Sequence, residues 1–390
     1  MGSGEKGAAN GAEALLIYGD SERSATLRHE VRIPIIDPFL FGLIDGTPHV
    51  MVSTIERERV TAALPEAQLH DLNDLGIKEL RESGMSHDEM WLELTSRAAA
   101  AMGVKAARVD PQFPIFVADR LRADGIELIP DPPLFEARRR AKLNWELEGI
   151  RRAQMAAEAG MSAAASVLAR ATPNGNGLTL DGEPLRAEMV RQAAREASAE
   201  LGAPTPPDVI VASVWQGFGH EPGSGPLPAN LPIQVDLWPR DEQSGCWADM
   251  TRTFVVGEIT EAVRDQETLV RDAIEQVREA TRPGVTGREL HAITCEVFEA
   301  AGHRTQRTGP GSDPHEGFQF SLGHGVGLDV HEEPSLGQVG HDPLVEGDVL
   351  AVEPGLWEAE IGGVRFEDLL LVTADGCETL TNYPYDLAPD

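Results

Sequence analysis

Two aspartates, Asp236 and Asp249, stand thirteen residues apart, the first closing the apolar run 231–235 and the second just ahead of Met250-Thr251-Arg252-Thr253-Phe254. Antiparallel strands joined by a loop could bring them face to face. Two carboxylates in a partly buried site raise one another's pKa unless a cation compensates, so such a pair is an acid/base dyad or part of a metal site. Residues 323–334, GHGVGLDVHEEP, place His324 and His331 seven apart in a glycine-rich stretch. On one continuous strand an odd separation points two side chains to opposite faces, so a turn or bulge must intervene if both serve one site. The Gly-x-Gly-x-Gly pattern itself is a poor phosphate-loop match, with no strand-to-helix unit around it and no lysine. Glu353 follows the apolar run 349–352, and Glu367 interrupts the apolar run 364–372 beside Arg365 and Asp368. Singly, each acid also reads as a strand-end surface carboxylate or a partner of Arg365. Together, two Asp, one His and two Glu make a hard, mostly oxygen donor set that suits a pair of divalent ions such as Mn, Co or Zn better than a four-ligand structural zinc.

The elements that must carry these residues fall into two groups. Up to about residue 130 the chain predicts a mixed α/β region, with a strand at 14–18 and two strands within 39–52 about the turn Asp45-Gly46-Thr47-Pro48. Further strands are expected at 115–118 and 126–129, and a helix over 86–102 with Ser86 as N-cap and Glu89 at its third position. Pro130, Pro132 and Pro133 punctuate the chain, and an Ala-rich helical pattern runs over 135–171, apart from Gly149 and Gly160. These signals set the expected domain boundary near 134, giving domains 1–134 and 135–390. In the second, helical patterns at 186–201, 261–280 and 287–301 alternate with strand-like runs at 208–212, 233–238, 253–256, 349–352 and 366–373. Strands recurring as hairpins, without evenly alternating βα units, indicate an α+β fold.

Composition narrows the function classes. Asp plus Glu outnumber Lys plus Arg by 64 to 33, and a net charge of -31 repels nucleic acid and anionic membrane surfaces. The densest basic run, Arg138, Arg139 and Arg140 with Lys142, Arg151 and Arg152, reads as a solvated helix face. Residues 1–13 lack the apolar core of a signal peptide, and no run approaches about 18 apolar residues, so neither secretion nor a membrane span is expected. Cys246, Cys295 and Cys377 are far apart with no C-x-x-C spacing, which fits a reducing cytoplasm. No Gly-x-Ser-x-Gly elbow is present and Cys246 has no assigned base, which disfavours a serine or cysteine nucleophile.

The ordered motifs DMTRTF, GHGVGLDVHEEP, VEPG and VRFEDLLLVT, carrying Asp236, Asp249, His324, Glu353 and Glu367, resemble the Xaa-Pro peptidase branch of the pita-bread metallopeptidases over about 205–380. In layout alone, the helix from 135 and the preceding region resemble that family's linker helix and creatinase-like N-terminal domain. The resemblance implies a pita-bread catalytic domain and a dinuclear-metal hydrolase, with Mn the expected ion and Co or Zn as alternatives. Asp236 would chelate one ion, Asp249 and Glu367 would bridge both, His324 and Glu353 would hold the other, and a bridging water or hydroxide would lie between them. Glu353 would also handle the proton, and His331 would meet the substrate carbonyl. His220 resembles the second substrate-pocket histidine, with a plain loop residue as the alternative. Arg365 would orient Glu367 or the neighbouring carboxylates. A small peptide substrate and a homodimer through the N-terminal domain are further implications.

Three departures touch the pocket and leave the ligand set intact. Gly245-Cys246-Trp247-Ala248-Asp249 stands where relatives often carry Gly-Tyr, Phe320 replaces a frequent histidine, and Ser213-Val214-Trp215-Gln216 replaces a Ser-Gly-x-Asn loop. Trp215, Trp238, Trp247 and Phe320 could line a more apolar pocket, or pack in the core. Alternatives therefore stay open. One is a creatinase-like enzyme acting on a non-peptide C–N or osmolyte-type substrate. The other is a non-catalytic binding module on the same fold, which the complete ligand set disfavours.

Overall fold

The structure is a computed structural model that describes residues 14–214, 216, 220–359 and 361–389. Met1–Glu13 and Trp215 lie outside the described residues. By contacts the chain divides into two compact units, 1–139 and 140–390, somewhat beyond the boundary expected near 134.

The first unit runs β1 (Ala14–Gly19), α1 (Ala25–Val31), β2 (Phe39–Ile44), β3 (Thr47–Val52), α2 (Arg57–Ala63), β4 (Gln68–Asp71), α3 (Ile77–Glu82), α4 (His87–Ala101), β5 (Ala106–Val109), α5 (Ile115–Ala123) and β6 (Glu127–Pro130). The strands form one six-stranded sheet of order β4-β3-β2-β1-β5-β6. Alternation along β1 serves two cores: Leu16 packs with α4 and α5, Leu15 and Ile17 with α1 and α2. Asp45 and Gly46, with φ of 49° and 76°, make the tight turn between β2 and β3. The capping box at Ser86 and Glu89 is present.

The run expected as a strand at 115–118 is instead the first turn of α5. Pro114, extended at φ -62° and ψ 130°, occupies its N-cap, and Val117, Ala118 and Leu121 turn inward at helical spacing while Ile115 and Phe116 face out. A four-residue apolar run does not distinguish the two periods.

The continuous helix expected over 135–171 is two helices, α6 (Pro132–Arg140) and α7 (Asn144–Ala169). At the break, the Leu143 N–H donates to Glu146 Oε2 at 2.7 Å. The basic run is not uniformly solvated either: Arg140 pairs with Asp348 and Lys142 with Glu332, and the Lys142 side chain is 2% exposed.

After α7 the second unit continues with a three-stranded meander, β7 (Thr172–Asn174), β8 (Gly177–Leu180) and β9 (Glu183–Pro184), then α8 (Ala187–Glu200), β10 (Ile210–Ala212), β11 (Ile233–Leu237) and β12 (Met250–Phe254). Next come α9 (Glu261–Ala280), α10 (Gly287–Ala300), β13 (Gly323–Gly325), β14 (Val349–Val352), β15 (Gly355–Glu358), β16 (Gly362–Arg365), β17 (Asp368–Val372) and β18 (Cys377–Thr379). Two antiparallel sheets matter for the site, β10-β11-β12 and β13-β14-β17-β18. One core joins α7 and α8 to the first sheet, and another joins α9 and α10 to the second. The strand expected at 253–256 begins earlier, at Met250, directly after Asp249. Among the described residues no helix is long and apolar enough to cross a membrane.

Candidate metal centre

The two-residue period of the strands puts the acids on one side. In β11, Ile233, Val235 and Leu237 point into the helix-covered core, as do Met250 and Phe254 of β12. Asp236 and, directly opposite it, Thr251 therefore project from the other face. In β14 and β17 the core takes Leu350, Val352, Leu370 and Val372, which leaves Glu353 and Glu367, just beyond the strand ends, on the opposite face. His324 in β13 pairs with Ala351, on that same face. A backbone bond from Glu367 N–H to Thr251 O (3.1 Å) joins the two sheets at this seam, and two bonds between the Thr253 hydroxyl and the Arg365 backbone (both 3.0 Å) tie β12 to β16, which pairs with β15 in a separate two-stranded sheet.

Ligand atoms of Asp236, Asp249 and Glu367 lie within 4.8 Å of one another, and so do those of His324, Glu353 and Glu367. A third set, Asp249, His324 and His331, meets the same distance. His324 Nε2 is 3.8 Å from both Asp249 Oδ2 and Glu353 Oε1. Its Nδ1 lies 3.1 Å from Gly325 O, and donating there leaves the Nε2 lone pair facing the carboxylates. Arg365 donates to Asp236 Oδ2 in a close ion pair and approaches Glu353 Oε2 at 3.5 Å. Arg365 thus acts on Asp236 and Glu353 more directly than on Glu367.

Burial pushes the Asp249 carboxyl well above the usual range, and the charges of Glu367, Asp236 and Glu353 add to the effect. Burial does the same to Glu367, with Glu353 and Asp236 contributing. Asp236 is raised by burial against the opposing pull of Arg365, and Glu353 is pushed up to about 7 by burial. Burial and the neighbouring His331 hold His324 down to about 4. Carboxylates so crowded call for cationic compensation beyond one guanidinium. Asp236 Oδ1 is buried with no hydrogen-bond partner, an acceptor left over for another electrophile.

The turn required between the two histidines is present. After β13 the chain reverses, and Gly325 and Glu332 exchange backbone hydrogen bonds of 2.9 and 3.0 Å. A Cβ on Gly323, at φ 155°, would fall 1.9 Å from Ala351 O, and one on Gly325 would fall 2.4 Å from Glu333 O. The reversal sets the His324 and His331 rings edge to face, with centroids 4.2 Å apart. His220 lies beyond, its ring 6.4 Å from that of His331.

Thr251 and Arg252 carried no role in the sequence reading, although both lie inside a quoted motif. The Thr251 hydroxyl donates to Glu367 Oε2 at 2.7 Å. Arg252, 1% exposed, donates to the Thr251 and Glu367 carbonyls, to Asp368 and to the carbonyls of Tyr383 and Pro384, with its guanidinium over the Tyr385 ring. Two-residue spacing from Asp249 was the signal available for Thr251; for Arg252, whose partners are distant in sequence, there was none. Cys246 is fully buried, and burial pushes its thiol up to about 12, which removes it as a nucleophile. Phe320 stacks edge to face on Phe318 with centroids 4.9 Å apart, and Trp247 packs under Arg240.

The model of metallopeptidase family M24 matches residues 148–374. An Xaa-Pro dipeptidase of Pyrococcus furiosus is 38% identical over 140 residues, which are 36% of this chain and 37% of that protein. A putative dipeptidase of Bacillus subtilis, YkvY, is 38% identical over 143 residues, 37% and 36% of the two chains. The match thus spans little more than a third of the length of these curated relatives. Among solved structures, an Xaa-Pro dipeptidase from Bacillus anthracis superposes with a TM-score of 0.75 at 20% identity, covering 96% of this chain and 94% of the other. An X-Pro aminopeptidase from Thermotoga maritima gives 0.76 at 18% identity, covering 96% and 97%. These likenesses establish the pita-bread fold. With more than half of its length matched by the family model, the chain belongs to metallopeptidase family M24.

Proposed function

We propose that this protein is an Xaa-Pro exopeptidase, an aminopeptidase or a dipeptidase, that works with two divalent metal ions. The observation that carries the reading is the convergence of Asp236, Asp249, His324, Glu353 and Glu367 from two sheets into overlapping donor sets that share Glu367. The donor chemistry fits: hard oxygens dominate, one imidazole lone pair faces them, and Asp236 Oδ1 is unpartnered. Asp236 would hold one ion, His324 and Glu353 the other, with Asp249 and Glu367 shared, and Mn is the ion we expect. Bound there, the ions supply Lewis-acid activation of a water and of the scissile carbonyl.

The chain's own residues then divide the work. Glu353 takes the proton that the attacking water gives up as its oxygen bonds to the scissile carbon, and returns it to the leaving amine as the C–N bond breaks. His331, its exposed ring against His324, meets the carbonyl oxygen, and His220 stands on the outer side of the pocket. Arg365 anchors Asp236 and Glu353 so that their remaining oxygens point inward.

We further propose domains at 1–134 and 135–390, and a homodimer formed through the N-terminal unit. In that unit Ile36, Ile55, Ile115 and Phe116 are 73%, 78%, 75% and 56% exposed, apolar surface that a partner would cover. Three unpaired cysteines support a reducing cytoplasmic setting.

The test combines metal content with hydrolysis of Xaa-Pro dipeptides and tripeptides, with and without added Mn, in wild type and Asp249→Ala. Mn-dependent release of proline or the N-terminal residue, lost in the variant, is expected, and the length preference separates dipeptidase from aminopeptidase. Bound metal without peptide cleavage would sink the peptidase reading in favour of a non-peptide substrate.

A further inference from the structure

A buried cation sits against the turn that carries His331. The Lys142 ammonium donates to Glu332 Oε1 in a close contact, and both side chains are 2% exposed. Glu332 follows His331 directly and holds Gly325, next to His324, through both backbone bonds. Its other carboxylate oxygen accepts from the Asp329 N–H at 3.5 Å. A Cβ on Gly327 would come within 2.5 Å of Glu332 Oε1 and 2.8 Å of Lys142 Cε, so the turn rests on the pair itself. The Gly327 carbonyl in turn accepts from the Trp247 N–H at 2.8 Å, two residues ahead of Asp249. Lys142 is itself fixed: its N–H reaches Gly347 O at 3.4 Å, and the nearby Arg140 pairs with the fully buried Asp348.

We propose that Lys142 is a positioning residue that acts through Glu332 to fix the turn 325–332 and, with it, the place of the His331 ring. This rests on the reading of His331 as the group that meets the substrate carbonyl. A turn with glycines at 325 and 327 has little stiffness of its own, so its geometry is set by what it is tied to. Glu332 ties it through the buried ion pair with Lys142. Without that partner the buried Glu332 carboxylate loses its 2%-exposed counter-charge, a costly arrangement that the turn relieves by moving, and its bond to the Asp329 N–H weakens.

The test uses the full chain, loaded with zinc and labelled with 13C-histidine, in four forms: wild type, Lys142→Met, Glu332→Gln and the double variant. The His331 ring signal is assigned through His331→Gln. Each single variant is expected to keep its metal within about twofold, displace the His331 signal and lower kcat about 10–100-fold while KM changes little. The double variant is expected to be no worse than either single one, because the pair acts as a unit. If Lys142→Met does not fold, Glu332→Gln alone carries the test. An unmoved His331 signal with only a lower melting temperature would overturn the proposal, as would strictly additive effects, or metal loss that tracks the loss of activity. Should the wild type cleave no peptide, the peptidase reading fails, while the ring signal still decides the role of Lys142.

Discussion

Thr251 and Glu367 are joined across the seam of the two sheets by a 2.7 Å hydroxyl-to-carboxylate bond, and the Glu367 N–H returns to the Thr251 carbonyl at 3.1 Å. The carboxylate shared by two of the donor sets is thus aimed by a neighbour that is not in either. Thr251→Val keeps the branched shape that a strand prefers and removes only the donor. Metal affinity is expected to fall about 10–100-fold, as for other residues that orient ligands, and metal titration of the stripped protein measures it.

Arg252 and Asp368 form an ion pair in which the side chains are 1% and 3% exposed. Arg252→Met leaves Asp368 buried with its main counter-charge gone and unties the Glu367 carbonyl. A loss of about 3–5 kcal/mol in denaturant unfolding is expected, with part of it recovered when Asp368→Asn is added.

Gly323 holds a φ of 155°, with Ala351 O where a Cβ would stand, 1.9 Å away. Gly323→Ala must therefore push β13 off β14. Destabilisation on the order of 4 kcal/mol or more is expected, with loss of bound metal because His324 is the next residue. A melting curve and a metal assay decide it; near-native values in both would refute the close approach.

Stripping the metal removes the charge that offsets the crowded carboxylates. Chelation is expected to lower the melting temperature, and Mn at about 100 times its dissociation constant to restore about 2.7 kcal/mol. A melting temperature indifferent to chelator and to Mn would count against the donor set as a metal site.

Burial is the largest influence on Asp241 and raises its pKa, but hydrogen bonds from Arg152 and Ser244 outweigh it, so the carboxyl lies below its ordinary value of 3.8. A depressed carboxyl contributes stability that is fully present above the unfolded value and disappears as pH falls through the folded one. The stability gap between wild type and Asp241→Asn is therefore expected to be constant around neutrality and to narrow below about pH 3.8. Paired unfolding curves across that range check the sign.

Much of the candidate site was legible in the sequence. Asp236, Glu353 and Glu367 each interrupt or end an apolar run, where a carboxylate needs a partner, Asp249 stands just ahead of the run 250–254, and His324 lies in a glycine-rich stretch. The seven-residue spacing of the histidines demanded a turn, and the turn is there. Helix 261–280 was readable to its ends because its amphipathic period repeats over many residues. The run 115–118 was misread because four apolar residues fit either period and the choice fell to what Val117 and Leu121 pack against.

What the sequence alone determined was therefore local: which residue types stand at strand ends, where glycine permits a reversal, and that no cysteine pair staples the chain. Tertiary structure decided which of these meet. Lys142 and Glu332 are 190 residues apart, and Arg252 and Asp368 are 116 apart. Charge, spacing and periodicity carry no information on such distant pairs. Lys142 reads as one more solvated base until the fold buries it, because a buried charge must find its counter-charge wherever the packing places one.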